Sequence, residues 1–279
     1  MNRPPVPLIV VARLDGPSFA AAVTRHAEWA TPSEQARAAG FVDPGDRFRH
    51  LAAHWLARRA VGRYVGVPAH RVRLCHDEAG RPLAVVGGAD GSSTPRTCVS
   101  LSHSGDWAAV AVVEAARVGI DVEVNSLRSP SALHAVSRRF HPEEQAALAG
   151  LGTPRRTRDI LRLWTLKEAY AKALGTGLSP FPGARDRLGL DGCAFRLDTP
   201  HPELTSLSPP AVPAERWHFW TLPLGPRLTG ALAVGRADLS PARTGPSAGA
   251  VRRRGKGGEP CRPERTLDRR AHAALRWAP

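Results

Sequence analysis

The segment Val118-Gly-Ile-Asp-Val-Glu-Val124 decides how this chain is expected to fold. Its apolar side chains alternate with Asp121 and Glu123, which is the period-two pattern of a β-strand with one buried face. The two carboxylates therefore project from the same face of one strand. Because an apolar hairpin precedes this strand and helical segments follow it, the sequence predicts a fold of the α+β class.

Strands and helices follow one another in a similar order on both sides of this segment. Before it, the patterns predict a strand at 8–14, helices at 19–29 and 33–39, a longer helix capped by Asp46 that runs to Tyr64, and strands at 71–75, 97–102 and 107–114. After it, they predict helices at 131–140, 142–149 and 158–174, and strands at 195–197, 217–222 and 228–234. Each series ends in an apolar hairpin, which predicts two similar α/β halves related by a pseudo-twofold duplication. We expect an N-terminal half at 1–115, a C-terminal half at 116–240, and the functional site in the cleft between them.

The composition is that of a globular protein without a membrane span. Hydrophobic residues make up 42% of the chain and charged residues 23%, and no run of ~18 or more apolar residues occurs. The proline-rich start of the chain gives no secretory signal. The four cysteines are scattered and form no Cys-x-x-Cys pair. We therefore expect a cytoplasmic, monomeric protein with reduced thiols and no membrane partner.

The net charge of +14 would ordinarily suggest a nucleic-acid partner, but its distribution argues against one. Residues 241–279 carry ten Arg and Lys side chains against Glu259, Glu264 and Asp268, a net +7 and half of the total. This segment is rich in Gly and Pro and has no sustained apolar period, so we predict a basic, disordered tail. The remaining +7 lies on residues 1–240, and it suits phosphates or acidic proteins better than nucleic acid.

A third carboxylate joins the pair on the strand. Glu168 and Lys172 lie four residues apart on a predicted helix, and Trp164 occupies the same helical stripe. Carboxylate oxygens without nearby Cys or His ligands favour a hard cation such as magnesium, with manganese as an alternative. Taken singly, an Asp-x-Glu strand is more often a solvated sheet face, and a Glu–Lys pair is more often a surface ion pair. Their combination in one chain favours a metal site.

The His50-x-x-x-His54 spacing is that of a zinc-binding helix, but the expected Glu and a third ligand are missing. An ordinary helix face, with one contact to a bound ligand, is the better interpretation. Arg254-Gly-Lys-Gly-Gly258 likewise does not match the phosphate-binding loop of nucleotide hydrolases.

Three motifs stand out together: Gly119-Ile-Asp-Val-Glu123, the helix Trp164-Thr-Leu-Lys-Glu-Ala-Tyr-Ala-Lys-Ala-Leu-Gly-Thr-Gly177, and the upstream element Ser100-Leu-Ser-His-Ser104. Taken together, they resemble the larger, surfactin-type branch of the 4′-phosphopantetheinyl transferase family. Their order and spacing agree with the family over residues 30–235.

The resemblance implies roles for particular residues. The metal ligands would be Asp121, Glu123 and Glu168, and Lys172 would reach the pyrophosphate of coenzyme A. Residues of the coenzyme pocket would be Arg37, Gly80, Arg81, Ser102, His103 and Lys172. The family's Gly-Lys-Pro turn occurs here as Gly80-Arg81-Pro82, which keeps the positive charge but replaces an ammonium with a planar guanidinium.

The resemblance also implies the reaction. The hydroxyl of a serine on an apo acyl or peptidyl carrier protein would attack the β-phosphorus of coenzyme A and release adenosine 3′,5′-bisphosphate. Glu168 would be the base, directly or through a metal-bound water. Two alternatives stay open from the residues themselves: a coenzyme A-binding protein that has lost turnover, and a nucleic-acid-binding protein that rests on charge alone.

Overall fold

The computed structural model describes residues 6–25, 30–77, 81–86, 97–126, 129–179, 188–198, 201–207 and 217–236. Gly80 and the predicted tail at 241–279 lie outside the described residues. No described helix has both the length and the apolar character needed to span a membrane.

The N-terminal half contains five strands and three α-helices in its described part. The elements are β1 (Leu8–Arg13), α1 (Pro17–Arg25), α2 (Pro32–Ala39), α3 (Pro44–Val65), a 3₁₀ turn (Ala69–Arg71), β2 (Val72–His76), β3 (Pro82–Val86), β4 (Thr97–Ser104) and β5 (Trp107–Glu114). The strands form one antiparallel sheet in the order β1-β5-β4-β3-β2.

The C-terminal half follows after a single connecting residue, Ala115, whose φ of 55° is left-handed. Its elements are β6 (Ala116–Val124), α4 (Pro130–Ser137), α5 (Pro142–Ala149), α6 (Thr153–Leu174), β7 (Leu178–Ser179), β8 (Leu188–Gly189), β9 (Cys193–Arg196), β10 (Glu203–Leu207), β11 (Trp217–Leu222) and β12 (Leu228–Arg236). Strands β11, β12 and β6 form an antiparallel sheet in that order. The predicted α+β architecture of two similar halves is confirmed.

Three apolar cores hold these layers together. In the first half, α3 packs on the face of the sheet that carries Val99, Val110 and Val112. In the second, α6 packs on β11 and β12 around Tyr170 and Phe219. The third core joins the halves; its buried side chains are Ala109, Ala111, Val113, Ala116, Val118, Ile120, Val122, Leu232 and Val234. Asp121 and Glu123, the acids on β6 that the sequence predicts to be functional, therefore lie on a strand at the junction between the two halves.

Gly119 allows α6 to lie directly on β6. A Cβ atom built at this position would stand 1.8 Å from the carbonyl oxygen of Ala169 and 2.7 Å from the nitrogen of Ala173. Only glycine permits this approach of helix backbone to strand backbone. The close packing brings the side chain of Lys172 within reach of the strand.

Some sequence predictions of element ends were wrong. Asp43, not Asp46, caps α3, and its carboxylate accepts a hydrogen bond from the N–H of Asp46 at 2.9 Å. The helix predicted at 158–174 begins earlier, at Thr153, because Pro154 suits a first helical turn. The strands β3 and β10 were not predicted. Cys193 is a buried free thiol.

Candidate active site

Asp121 is a buried carboxylate on β6 that contacts both halves of the chain. Its Oδ1 atom accepts a hydrogen bond from the Ser102 hydroxyl of β4 at 2.8 Å. The same oxygen lies 2.7 Å from the Nζ of Lys172 on α6, and this ammonium also donates to the carbonyl of Ile120 at 3.2 Å. Strand, helix and the opposite half thus converge on a single carboxylate oxygen.

The second carboxylate oxygen of Asp121, Oδ2, differs from Oδ1 in its hydrogen bonding. Oδ2 is buried and has no hydrogen-bond partner among the described residues. Burial raises the pKa of Asp121, and the neighbouring Lys172 ammonium and Ser102 hydroxyl act in the opposite direction. A buried carboxylate oxygen without a donor is costly, whereas a cation at this oxygen would satisfy it. The donor set here therefore fits a hard metal ion.

Glu123, two residues further along β6, is held by two donors. The Ser104 hydroxyl of β4 donates to its Oε2 at 2.9 Å, and the indole N–H of Trp164 on α6 donates to its Oε1 at 3.1 Å. Asp121 and Glu123 share one face of the strand, as the period-two pattern predicts. Both carboxylates contact α6, through Lys172 and Trp164.

Glu168 lies on α6 one helical turn after Trp164 and one turn before Lys172, and it is half-buried. Within the described ranges, no group of three or more His, Cys, Asp or Glu side chains lies close enough together to form a metal cage. The structure joins Asp121 to Lys172 and Glu123 to Trp164, and the joint ligand set of Asp121, Glu123 and Glu168 stays a prediction.

A buried ion pair fixes the residue next to Glu168. Lys167 lies 2.8 Å from Glu144 Oε2, with side-chain exposures of 0% and 1%, and its ammonium also donates to the carbonyl of Cys193. Glu144 accepts further hydrogen bonds from the N–H groups of Phe195 at 2.9 Å and His141 at 3.2 Å. This network ties α6 to α5 and β9 and so sets the rotation of the helix that carries Glu168. The sequence around Lys167 gave no signal for this buried network.

His103 follows Ser102 on β4, so its side chain lies on the opposite face of the strand. Val99 and Leu101 lie on the same face as His103, and this face packs toward α3. The side chain of His103 is exposed. Partial desolvation lowers the pKa of His103, and the positive charges of Lys172 and Arg49 lower it further. His103 therefore belongs to a positively charged environment between α3 and α6.

The other predicted coenzyme residues lie in the first half. Arg37 is exposed at the end of α2. Arg81 precedes β3, and its Nε donates to Asp77 Oδ2 at 2.6 Å while its backbone N–H donates to Asp77 Oδ1 at 2.9 Å. The guanidinium of Arg81 is thus oriented by Asp77.

His50 on α3 was predicted only as part of an ordinary helix face, and the structure gives it a more specific setting. It is buried, and its Nε2 has no hydrogen-bond partner in the part of the chain that the structure describes. Burial lowers the pKa of His50 to about 4, and nearby positive groups, His54, Arg37 and His103, act in the same direction. The i, i+4 spacing with His54 was the available sequence signal, but spacing does not reveal that α2 and β4 converge on this face.

Comparison with known proteins agrees with this architecture. Residues 19–115 match the family described as 4′-phosphopantetheinyl transferase, N-terminal, and residues 117–222 match the 4′-phosphopantetheinyl transferase superfamily. The chain belongs to the 4′-phosphopantetheinyl transferase superfamily. The two matched regions meet at the connection between β5 and β6, and the second contains the acids of β6 and the whole of α6.

Several curated relatives belong to this superfamily. The 4′-phosphopantetheinyl transferase HetI of Nostoc sp. is 34% identical over 147 residues, which cover 52% of this chain and 60% of that protein. The human L-aminoadipate-semialdehyde dehydrogenase-phosphopantetheinyl transferase is 29% identical over 153 residues, 53% of this chain and 48% of the relative. The 4′-phosphopantetheinyl transferase Sfp of Bacillus subtilis is 26% identical over 169 residues, 60% of this chain and 70% of the relative. The chain thus spans about half to two thirds of the relatives that it matches.

Proposed function

We propose that this protein is a magnesium-dependent 4′-phosphopantetheinyl transferase that modifies a serine of apo acyl or peptidyl carrier proteins with the phosphopantetheine arm of coenzyme A. The observation that carries this proposal is the arrangement at β6 and α6. Asp121, with one oxygen on Lys172 and the other buried without a donor, stands beside Glu123 on one strand face. The family and the named relatives support the same activity.

The reaction would be an in-line transfer. The carrier serine oxygen forms a bond to the β-phosphorus of coenzyme A, and the bond from that phosphorus to the bridging oxygen of the pyrophosphate breaks. Adenosine 3′,5′-bisphosphate leaves with that oxygen. The serine proton passes to a base, for which Glu168 is our candidate because it lies on the helix face between Trp164 and Lys172.

Positioning and charge would supply most of the catalysis, as in other phosphoryl transfers. Asp121, Glu123 and Glu168 would hold the magnesium ion, which when bound neutralises negative charge on the phosphates. Lys172 would contact the pyrophosphate, which requires it to share its ammonium between Asp121 and the substrate. Manganese could substitute for magnesium because both accept carboxylate oxygens.

The first half would hold the nucleotide. Arg37, Arg81 and His103 provide positive or hydrogen-bonding groups there, and Ser102 contributes to the pocket through Asp121. Gly80, which lies outside the described residues, stays a predicted residue of the coenzyme pocket. We further propose that the protein is cytoplasmic and acts as a monomer, and that nucleic acid and membranes are not its partners.

Mass spectrometry tests the activity directly. The protein is incubated with coenzyme A, magnesium and a panel of apo carriers from fatty acid, polyketide and nonribosomal peptide synthesis, and the mass of each carrier is measured. We expect the mass of a phosphopantetheine arm to be added to at least one carrier, and no addition when EDTA replaces magnesium or when the acceptor serine is changed to alanine. Absence of any modification across the panel, with a folded protein, would contradict the proposal.

A further inference from the structure

Three serines of β4 replace a missing strand partner along the edge of β6. Strand β6 is the edge strand of its described sheet, so a row of its backbone N–H groups would lack partners there. The hydroxyls of Ser100, Ser102 and Ser104 accept hydrogen bonds from the N–H groups of Ile120, Val122 and Val124 at 3.0, 3.3 and 3.0 Å. Since these serines are two residues apart, they share one face of β4.

Two of these serines also reach a carboxylate. A hydroxyl that accepts from an N–H keeps its own proton to donate. Ser102 donates to Asp121 at 2.8 Å and Ser104 donates to Glu123 at 2.9 Å. Ser100 stands two residues before Ser102, and the corresponding position on β6 is Gly119, which has no side chain to receive a proton. The row thus contains two serines that hold acids and one that does not.

These contacts determine which carboxylate oxygens remain available to bind a cation. Ser102 and Lys172 both bind Oδ1 of Asp121, which leaves Oδ2 as the oxygen without a donor. Ser104 fixes Oε2 of Glu123 from the first half while Trp164 fixes Oε1 from α6. A carboxylate held at defined oxygens loses less conformational freedom when a cation binds.

We propose that Ser102 and Ser104 are positioning residues that orient Asp121 and Glu123 for a divalent cation, so that the first half of the chain controls metal binding on the second. The inference rests on the proposed function. It assigns the two serines no contact with the substrate; they act through the carboxylates. A purely structural function, in which the serines only close the edge of β6, is the competing explanation.

Ser100 provides the matched control. In each Ser→Ala variant, one backbone N–H of β6 loses its acceptor. The N–H groups of Ile120 and Val122 are buried and that of Val124 is partly buried, so all three variants should lose stability, Ser104→Ala the least. Only Ser102→Ala and Ser104→Ala also release a carboxylate. Loss of a group that orients a metal ligand typically weakens metal affinity by about 10- to 100-fold. We expect this weakening in those two variants and less than about 2-fold change in Ser100→Ala.

The measurement is binding of Mn²⁺, followed by the electron paramagnetic resonance signal of the free ion, to each purified protein with and without coenzyme A. Coenzyme A alone with Mn²⁺ serves as the background. Ser104→Thr, which keeps a hydroxyl, should restore Mn²⁺ affinity toward that of the unmodified protein. If an alanine variant does not fold, the cysteine series at the same three positions replaces it, because a thiol is a much weaker donor.

The outcomes separate the inference from the proposed function. Equal Mn²⁺ affinity in the Ser100, Ser102 and Ser104 variants would overturn the inference, even if the unmodified protein modifies carriers. Absence of Mn²⁺ binding by the unmodified protein would overturn it as well. Weakened Mn²⁺ binding in the two predicted variants would support it, even if no carrier in the panel were modified and the proposed function failed.

Discussion

The helices α3 and α6 are built alike, although they stand in different halves of the chain. Each has 22 residues, begins with a proline in its first turn and ends at a left-handed glycine, Gly66 or Gly175. The twelfth residue of each is a tryptophan, Trp55 in α3 and Trp164 in α6. The duplication predicted from the order of elements therefore extends to individual residues.

The likeness continues into the short helix before each long one. The fifteenth residue of the long helix is Arg58 in α3 and Lys167 in α6, and both are buried. Each pairs with a glutamate that closes the capping box of the preceding helix, Glu34 in α2 and Glu144 in α5. Both halves thus use one capping carboxylate to dock the long helix.

The two long helices differ at their next residue, the sixteenth. Arg59 follows Arg58 and places its guanidinium 5.0 Å from the ring centre of Trp55, whereas the residue after Lys167 is the acid Glu168. The first strands differ in the same way, because β1 reads Leu-Ile-Val-Val-Ala-Arg and has no carboxylate, while β6 carries Asp121 and Glu123. At these equivalent positions of the shared scaffold, only the second half carries acids, and we expect the chemistry to be confined to that half.

The largest expected effect tests whether the chemistry is confined to the second half, by changing Glu168 in α6 and its equivalent in α3, Arg59. Glu168→Gln removes the proposed base and a metal ligand, and general-base catalysis typically contributes about 10²- to 10⁴-fold. We expect kcat to fall within that range, measured by carrier modification at saturating coenzyme A. Arg59→Gln, the matched change in α3, should leave kcat within about 2-fold. Near-normal turnover of Glu168→Gln at limiting magnesium would break the comparison.

The two buried ion pairs should differ in their contribution to stability. Lys167 and Glu144 have side-chain exposures of 0% and 1%, whereas Arg58 and Glu34 have 4% and 10%. Removing one partner of a buried pair typically costs about 3–5 kcal/mol because a charge stays buried without its partner. We expect Lys167→Met to lose that much in free energy of unfolding by urea denaturation, and Arg58→Met to lose less. A larger loss of unfolding free energy in Arg58→Met than in Lys167→Met would show that the burial of a pair does not determine its contribution to stability.

A smaller effect concerns acid stability of the first half. Burial alone would raise the pKa of Glu34, but the Arg58 guanidinium and the N–H of Thr31 outweigh it and hold the pKa below its ordinary value of 4.5. A carboxyl with a lowered pKa in the folded state adds stability above its unfolded pKa and loses it as the pH falls through the folded value. The stability gap between the unmodified protein and Arg58→Met should therefore be full at pH 7 and shrink below pH 4.5. Unfolding free energies across this range check the trend, and a gap that stays constant with pH would contradict it.

Local patterns predicted a large part of this fold. The alternation around Asp121 gave the strand and its acidic face, and helical spacing placed Trp164, Glu168 and Lys172 on one stripe. Strands β3 and β10 were missed because their five-residue segments have no alternation strong enough to distinguish them from loops. Sequence patterns also gave no long-range contact: the bond of Ser104 to Glu123 across the halves, and the pair of Lys167 and Glu144 within the second half, depend on tertiary packing that no local period reports.

The smallest expected effect compares the two tryptophans. Trp164 donates its indole N–H to Glu123 at 3.1 Å, whereas Trp55 packs edge to face on Phe19 at 4.8 Å and under Arg59. Trp164→Phe keeps an aromatic ring but removes the indole donor from Glu123, whereas the Ser104 hydroxyl remains bonded to it. Because one of its two orienting bonds remains, we expect the magnesium concentration for half-maximal carrier modification to rise by roughly tenfold at most.

Trp55→Phe, the matched change in α3, should leave the magnesium requirement unchanged while it alters stability through packing. Combining Trp164→Phe with Ser104→Ala then removes both donors from Glu123. If the two donors share the task of orienting this one carboxylate, the effects should not add, since residues in one hydrogen-bond network are coupled. Strict additivity, or an equal magnesium requirement in the Trp55 and Trp164 variants, would mean that the indole of Trp164 serves packing in the second half as Trp55 does in the first.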